Sequence, residues 1–527
     1  MQSTLIKSLA MATMGAGLVA CNQEKQSAPQ RPNIIFIMSD DHAYQALSAY
    51  GHGLNQTPNI DRIAREGAIF NAACVTNSIC APSRATMLTG KYNHLNGKID
   101  NINEFDWNQP NFAKNMQAAG YQTALIGKIH LDGAPQGFHY WNVLPGQGEY
   151  YNPDFIEMGE RKRFQGYCTE LTTEFALDWL ENKREQDKPF LLLYHQKAPH
   201  RNWQPSPQYL NLFDDKTFDP PANFFDDYQG RGRAAREQEM EIDGHAQWGW
   251  DFKLLVTPDG DSTGYHRTLA RMDDHQRGLW MDAYEQDNQD FLAARLSGKE
   301  LALWKFNRYI KDYLRTIQSV DDGVGEILDY LDKNGLADNT IIVYTSDQGF
   351  YLGEHGWFDK RFMYEQSLRT PLVVRYPKEI KPGTVIDDIV VNIDFAPTFL
   401  DYAGIETPSD IQGESFRKLV AGEKVPWRDA MLYHYYEFPG EHGVKRHYGV
   451  RTNRYKLIHF YYDIDEWEMY DLEADPDEMN SVYNDPAYAE VQEQLHQRLR
   501  ELREQYGDTD ELTQFYLQSA LERQKRR

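Results

Sequence analysis

Short apolar runs alternate with longer helical stretches from residue 31 onward. Five of these runs are continuous or nearly continuous in apolar side chains: 33–38, 122–126, 189–194, 340–344 and 371–374. Such runs are typical of strands that are buried on both faces of a sheet. Their alternation with helical stretches predicts an α/β fold with a large, mostly parallel sheet flanked by helices.

The pattern changes in the middle of the chain. Residues 213–298 are polar, aromatic and irregular, whereas 299–333 read as one long helix that ends at Asn334-Gly335. We interpret 213–298 as an insertion in the α/β domain. It either lines one side of a cleft or is a surface elaboration without a role.

A second change of character lies near Pro426. The runs 431–437, 448–462 and 466–470 are rich in tyrosine and predict a small antiparallel sheet, and a charged helix over 487–505 follows. We therefore expect a catalytic α/β domain over 31–425, a C-terminal antiparallel α+β subdomain over 426–510 and a tail over 511–527.

The first thirty residues have the features of an export signal. Lys7 precedes a short uncharged stretch, 9–19, and Leu18-Val19-Ala20-Cys21 resembles a bacterial lipoprotein box. This predicts a lipoprotein signal peptide over 1–20, lipidation of Cys21 and a polar tether over 21–30. The alternative is a plain secretory signal that is cleaved nearby. Both predict export, and the first places a lipid-anchored protein in the bacterial periplasm or at the cell surface.

The net charge limits the possible ligands, and the cysteine content limits the possible disulfides. A net charge of −24 argues against a nucleic-acid partner, and an acidic protein that takes an anionic substrate must form a local positive pocket. The four cysteines are too few for a disulfide framework. Cys74 and Cys168 either pair or are ordinary buried thiols.

Polar residues follow four of the predicted strands. Ligands in open α/β sheets bind beyond the carboxyl ends of the strands, so these side chains are expected at one edge. Their carboxylate and amide oxygens suit calcium or magnesium, and their amine and imidazole groups suit an anion. We interpret His195 as a buried histidine at a strand end. The residues are Asp40 and Asp41, Lys128 and His130, His195 and His200, and Asp347 and Gln348.

Cys80 begins the segment Cys80-Ala81-Pro82-Ser83-Arg84, in which Pro82 suits the first turn of a helix. Cys80 is then expected at a helix N-terminus, where the helix dipole favours an anion. A reactive thiol is a poor nucleophile for an exported protein, because oxidising compartments consume it.

The segment from Cys80 to Gly90 resembles the Cys-x-Pro-Ser-Arg signature of type I sulfatases in the alkaline phosphatase superfamily. Gly127-Lys128-Ile129-His130 and Asp347-Gln348-Gly349 resemble two further elements of that family. Ile129 stands where tryptophan is usual, and Gln348 stands where asparagine or histidine is frequent. The resemblance extends over about 32–480 and implies an alkaline phosphatase-like fold.

The resemblance implies a set of roles. A maturation enzyme would oxidise Cys80 to formylglycine, whose hydrate is the nucleophile. One Ca²⁺ would be bound by Asp40, Asp41, Asp347, Gln348 and the modified residue 80. The cation and Arg84 would stabilise the nucleophile, His200 would protonate the leaving alcohol, and His130 would orient the nucleophile and assist release of sulfate. The groups expected to hold the sulfate oxygens are Lys128, His200 and Lys360.

The substrate implied by the resemblance is a sulfated glycan. Asp359 and Arg361 flank Lys360 and are expected to contact sugar hydroxyls. The alternatives for Arg361 are a surface residue or a partner of an acidic neighbour. The preferred substrate is 6-O-sulfated N-acetylglucosamine, with ulvan, carrageenan or similar algal glycans as the alternative. Two rival interpretations are a phosphodiester or phosphonate hydrolase of the same superfamily and a non-catalytic glycan-binding lipoprotein.

Overall fold

The computed structural model describes residues 31–526. The predicted signal peptide, the lipidation site Cys21 and the tether lie outside the described residues. Within the described part of the chain, no helix combines the length and apolar character needed to cross a membrane.

The strands and helices follow the predicted alternation. The strands are β1 (Asn33–Ser39), β2 (Ala68–Phe70), β3 (Ala73–Cys74), β4 (Gln122–Gly127), β5 (Tyr140–Val143), β6 (Asp154–Glu157), β7 (Glu160–Arg163), β8 (Phe190–His195), β9 (Thr340–Ser346), β10 (Leu372–Arg375), β11 (Thr384–Ile386), β12 (Val390–Val391), β13 (Ala430–Tyr435), β14 (His447–Thr452), β15 (Tyr455–Phe460) and β16 (Glu466–Asp471). The helices are α1 (Pro58–Glu66), α2 (Cys80–Thr89), α3 (Asn93–Asn96), α4 (Phe112–Ala118), α5 (Cys168–Asp178), α6 (Arg233–Arg236), α7 (Thr263–Leu269), α8 (Asp274–Ala294), α9 (Gly298–Lys333), α10 (Glu365–Leu368), α11 (Phe395–Tyr402), α12 (Arg417–Val420), α13 (Ala489–Tyr506) and α14 (Asp510–Arg526).

A ten-stranded sheet forms the centre of the fold, in the order β11-β2-β10-β9-β1-β8-β4-β5-β6-β7. The strands from β9 to β5 are mutually parallel, whereas β10, β6 and β7 add antiparallel pairings toward the edges. Every residue of β1, β8 and β9 is buried, as expected for strands covered by helices on both faces. The predicted α/β class with a mostly parallel sheet is confirmed.

The predicted C-terminal antiparallel sheet is also confirmed, in the order β13-β14-β15-β16. The run 448–462, which the pattern treated as one segment, forms the two strands of the β14–β15 hairpin. The turn between them is closed by the Thr452 hydroxyl, which accepts a hydrogen bond from the Tyr455 amide at 2.8 Å and donates one to the Tyr455 carbonyl at 3.0 Å. Helix α13 packs against this sheet.

The region 213–298 is more regular than its polar composition suggests. Helix α8 spans 21 residues there and starts with a capping box, in which the Asp273 carboxylate accepts from the Gln276 amide. Its buried side chains include Trp280, Tyr284 and Phe291, which lie on one face. The residues beyond 510, which the pattern left as a tail, form helix α14 with Tyr516 and Leu517 buried.

A buried ion network joins the small sheet to helix α10. Glu365 on α10 accepts hydrogen bonds from Arg451 on β14 at 3.0 and 3.2 Å and pairs with Lys456 on β15 at 3.0 Å. Lys456 also pairs with Glu478 at 2.7 Å. This network anchors α10, which directly follows the loop that carries Lys360.

Cys74 and Cys168 are both buried free thiols. Cys74 lies at the end of β3 within the apolar cluster under the small sheet, whereas Cys168 begins α5 in a different cluster with Leu144 and Phe155. Of the two alternatives, the structure therefore has the ordinary buried thiols.

Candidate active site

Four adjacent parallel strands, β9, β1, β8 and β4, end at the same edge of the large sheet. The register pairs Ser39 with Ser346, Met38 with His195, and Gly127 with His195, so the four strands finish almost level. The residues that follow each strand are therefore neighbours in space, as the strand-end pattern predicts. These residues are Asp40 and Asp41 after β1, Lys128 after β4, His200 after β8, and Asp347 and Gln348 after β9.

Three carboxylates form the centre of this edge. Asp40, Asp41 and Asp347 each offer one oxygen within 4.8 Å of the others, and all three are buried. Burial, opposed by Lys360 and reinforced by Asp347, raises the pKa of Asp41 to about 6. Three buried carboxylates at this separation repel each other unless positive charge lies between or beside them.

The donor set fits a hard divalent cation. The amide oxygen of Gln348 is buried without a hydrogen-bond partner among the described residues, and Asp40 Oδ1 has the Arg84 guanidinium 3.8 Å away. Asp40, Asp41, Asp347 and Gln348 together supply only oxygen ligands, which suits Ca²⁺ or Mg²⁺ better than zinc. Positive charge in the structure comes from Lys128, which pairs with Asp40, and Lys360, which pairs with Asp41.

Cys80 is the first residue of α2 and faces this cluster. Its Sγ lies 3.3 Å from Lys360 Nζ and 3.9 Å from Gln348 Nε2, and within 4.8 Å of ligand atoms of Asp40 and His200. Burial, only partly opposed by Lys360, raises the pKa of the Cys80 thiol to about 12. The unmodified side chain is therefore a neutral thiol rather than a thiolate nucleophile.

Arg84 lies one turn further along α2 and ties the site together. Its Nε donates to Asp347 Oδ2 at 2.9 Å, its Nη1 donates to the Lys128 carbonyl at 2.5 Å, and its Nη2 lies 3.8 Å from Asp40 Oδ1. A single guanidinium thus fixes groups from three different strand ends relative to Cys80.

The three histidines have different surroundings. His200 Nε2 lies 3.9 Å from Asp41 Oδ2, and its Nδ1 lies 2.6 Å from the Arg201 carbonyl. His130 has a buried Nδ1 without a partner among the described residues, and burial together with Lys128 and Arg84 holds its pKa well below its usual range. His195 is buried against Phe36, with Nδ1 3.2 Å from the Lys128 carbonyl, as expected for a packed histidine at a strand end.

Asp359 and Arg361 flank Lys360 in a tight loop. Both have positive φ, 75° and 91°, in the left-handed region that non-glycine residues rarely adopt. Their side chains form an ion pair, so Arg361 does pair with an acidic neighbour, and at 3% exposed it is not the surface residue of the other alternative. The Nε of Arg361 has no hydrogen-bond partner in the described part of the chain.

Two further residues at this edge were missed by the sequence analysis. Lys128 Nζ donates to the Gln147 side chain, and Lys197 Nζ donates to the Gln147 carbonyl at 3.1 Å. Lys197 is buried, stands over the Tyr150 ring and follows β8 by two residues, so the strand-end rule that selected His195 and His200 also applies to it. Gln147 belongs to a loop and carries no such signal.

A mostly parallel sheet that brings carboxylates, ammonium groups, histidines and a helix-starting cysteine to one edge supplies the groups that a hydrolase of charged esters needs. Two family profiles match this chain: "Sulfatase" over residues 32–405 and "N-sulphoglucosamine sulphohydrolase, C-terminal" over residues 353–505. The chain belongs to the sulfatase family and is a sulfuric ester hydrolase. Members of this family generally use formylglycine and a metal ion, and the oxygen cluster described above could bind one.

Relatives with known names extend the comparison. An N-acetylglucosamine-6-O-sulfatase of Bacteroides thetaiotaomicron is 52% identical over 96% of this chain and 92% of its own length. A human N-acetylglucosamine-6-sulfatase is 27% identical over 77% of this chain and 67% of its own. A solved structure in complex with its substrate, D-glucosamine-2-N,6-O-disulfate, has a TM-score of 0.89 at 52% identity and covers 91% of this chain and 99% of that one.

A phosphonate monoester hydrolase of Silicibacter pomeroyi has the same fold, with a TM-score of 0.67 at 21% identity over 90% of this chain and 96% of its own. At that identity the likeness concerns the fold alone.

Proposed function

We propose that this sulfatase hydrolyses the 6-O-sulfate ester of N-acetylglucosamine or glucosamine units in sulfated glycans. The observation that carries the proposal is the 52% identity, over nearly the full length of both chains, to a relative named for that reaction. The solved relative whose substrate carries a 6-O-sulfate supports the same sugar and the same position.

The proposed nucleophile is formylglycine derived from Cys80, and the proposed cation is one Ca²⁺ held by Asp40, Asp41, Asp347 and Gln348. When present, the hydrated formylglycine supplies a nucleophilic hydroxyl and the cation stabilises negative charge beside it. The unpartnered amide oxygen of Gln348 and the three converging carboxylates support the ligand set. The high pKa of the Cys80 thiol supports a modified rather than a free cysteine.

Lys128, Lys360 and His200 are the groups we assign to the sulfate oxygens. An ammonium carries three donors, so each lysine can keep its carboxylate partner and still donate to an anion. Positive charge held in a buried site stabilises the charge that develops on the sulfuryl oxygens in the transition state.

His200 is the proposed general acid, Arg84 the group that orients residue 80, and His130 the group that accepts a proton as sulfate is released. Geometry supports the first two assignments, because His200 Nε2 faces the cluster and Arg84 spans it. Asp359 and Arg361 are assigned to sugar hydroxyls, since their loop carries Lys360.

We further propose that the protein is exported and lipid-anchored through Cys21, and that a formylglycine-generating or anaerobic sulfatase-maturing enzyme is its partner during synthesis. The Leu18-Val19-Ala20-Cys21 sequence and the Cys80-to-Gly90 segment support these proposals.

The test is a panel of substrates offered to enzyme produced with a maturation enzyme. Sulfate release should be fastest from 6-O-sulfo-N-acetylglucosamine or its N-sulfated analogue, compared with the 3-O- and 2-O-sulfated sugars and with ulvan and carrageenan oligosaccharides. The 6-phosphate ester of the same sugar is included for comparison, because it differs from the sulfate ester only in the ester group. Preference for an algal oligosaccharide or for the phosphate would overturn the proposal.

A further inference from the structure

A cleft of about 380 Å³ opens beside His200, on the side away from the sheet core. Its size is within the range of small-ligand pockets. Part of its wall comes from 213–298, through Trp250 and Arg267, and Arg271 of the same region adds a third group. The region that the sequence analysis left open between a cleft wall and a surface elaboration therefore lines a cleft next to the candidate active site.

Basic side chains outnumber carboxylates on the lining of this cleft, in a protein whose net charge is −24. The basic residues are Arg161, Lys197, Arg201, Arg267 and Arg271, and the carboxylates are Glu149 and Asp154. Arg161 and Arg271 both bond to Asp154, at 2.7 and 2.6 Å, and Arg163 bonds to the same carboxylate at 3.0 Å. One carboxylate thus faces three guanidinium groups, of which those of Arg161 and Arg271 line the cleft.

Two more cations at the cleft have no carboxylate partner among the described residues. The Arg267 guanidinium stacks over the Trp250 ring at 4.6 Å and is exposed to solvent. Lys197 is 3% exposed, and its Nζ donates to the Gln147 carbonyl at 3.1 Å, which occupies one of three donors. Burial disfavours the charged form of a lysine, and an anion that accepts hydrogen bonds from its unused donors would favour that form.

The sulfate group that is removed is assigned to Lys128, Lys360 and His200, at the edge of the sheet. The cleft cations are a different set, and only His200 belongs to both. Guanidinium groups in such an array bind sulfate and carboxylate oxygens through paired, charge-assisted hydrogen bonds.

We propose that this cleft is a second anion subsite, which binds a sulfate or carboxylate group of the glycan other than the sulfate being removed. The subsite rests on the proposed function and refines it: the preferred substrate carries at least two anionic groups. The second anion comes either from an N-sulfate on the same sugar or from a uronate carboxylate on the neighbouring sugar.

The test compares three substrates: 6-O-sulfo-N-acetylglucosamine with one anion, glucosamine 2-N,6-O-disulfate, and a 6-O-sulfated disaccharide with an adjacent uronate. For wild type, kcat/KM should be higher for at least one doubly anionic substrate. In Arg267→Ala, the ratio of kcat/KM for that substrate to kcat/KM for the singly charged sugar should fall about fivefold to tenfold. Arg267→Lys, which keeps the charge, should retain part of the preference.

The matched control is Arg65→Ala, since Arg65 is an exposed arginine of α1 that does not line the cleft. It should leave the ratio at its wild-type value. Thermal unfolding of each variant separates loss of the subsite from loss of the fold. Titration calorimetry with the Cys80→Ser protein gives a readout that needs no turnover, and the doubly anionic ligand should bind that protein more tightly than the singly charged one.

The outcomes separate the two proposals. If wild type fails on every 6-O-sulfated sugar, the proposed function fails. If wild type cleaves all three substrates at similar kcat/KM, or if Arg267→Ala lowers all three equally, only the second subsite is overturned. A selective effect on the disulfate assigns the N-sulfate as the second anion, and a selective effect on the disaccharide assigns the uronate.

Discussion

His200 has one ring nitrogen anchored and the other free to act. Because the Arg201 carbonyl accepts a hydrogen bond, Nδ1 carries a proton and Nε2 is directed toward the carboxylate and Cys80 cluster. To act as an acid the ring must also carry a proton on Nε2; in that doubly protonated form it can give the Nε2 proton to an oxygen that leaves beside it, while Nδ1–H stays bound to the Arg201 carbonyl. The backbone contact therefore fixes the orientation that general acid catalysis requires.

This role predicts a leaving-group effect. His200→Ala should lower kcat for a sugar sulfate by about 100-fold or more, because a sugar alkoxide is a poor leaving group without a proton. The loss should be much smaller with 4-nitrophenyl sulfate, whose phenolate leaves without help. Steady-state rates of wild type and variant on both substrates check this, and an equal loss on both would contradict the assignment of an acid.

At the residue scale, sequence reasoning found the groups that follow buried strands and missed those placed by loops. Asp40, Lys128, His200 and Asp347 were predictable because each follows an apolar run. Gln147, which bonds Lys128, reaches the site from a loop whose path no local pattern specifies. The ion pair of Arg361 with an acidic neighbour was one of the alternatives that the sequence offered, whereas the burial of Arg361 depends on the packing of its loop, which a single sequence does not reveal.

A close backbone contact between the ends of β4 and β8 fixes how the two strands lie relative to each other. Gly127 ends β4 with φ of 99°, and a Cβ placed there would clash with the His195 carbonyl oxygen. The same carbonyl accepts the Lys128 amide at 2.9 Å. Glycine at this position therefore lets Lys128 and the segment that leads to His200 approach each other.

Gly127→Ala should displace both strand ends. We expect a loss of at least about 2 kcal/mol in the free energy of unfolding, from backbone strain together with the clash, and a large loss of kcat/KM. Gly120→Ala is the control, since Gly120 has a similar φ of 89° but open space where the added methyl group would lie. Urea unfolding and activity of both variants check this, and equal effects would show that the close approach at Gly127 is unimportant.

At the element scale, the buried strands and the long helix α9 were predictable from the sequence, whereas amphipathic or short elements were harder to predict. Helix α8 was missed because polar residues and Gly278 dominate its sequence, although Trp280, Tyr284 and Phe291 keep a helical spacing. The short strands β5, β6 and β7 lack the continuous apolar runs of the central strands. Their pairing at the sheet edge depends on contacts between distant segments.

At the scale of the whole molecule, folding gathers carboxylates and basic side chains at one edge of the large sheet, although the chain as a whole is acidic. Three carboxylates converge at the strand ends, where they pair with Lys128, Lys360 and Arg84 and can also bind a cation. A cation that binds only the folded state should therefore stabilise the entire α/β domain, by about 2.7 kcal/mol when present at 100 times its Kd.

Calorimetric melting with and without metal tests this. Ca²⁺ should raise Tm after treatment with a chelator, Zn²⁺ should raise it less, and Asp347→Asn should lose most of the Ca²⁺ response because one buried ligand is gone. A stronger response to Zn²⁺, or an undiminished Ca²⁺ response in the variant, would contradict the ligand set.

The most direct test concerns the side chain at position 80. Sulfate release from 6-O-sulfo-N-acetylglucosamine is measured for wild type and for Cys80→Ala, both produced with the maturation enzyme and both shown to be folded. We predict that kcat falls by at least about 1,000-fold, because no other group at the site replaces the nucleophile. An undiminished rate in Cys80→Ala would contradict the account.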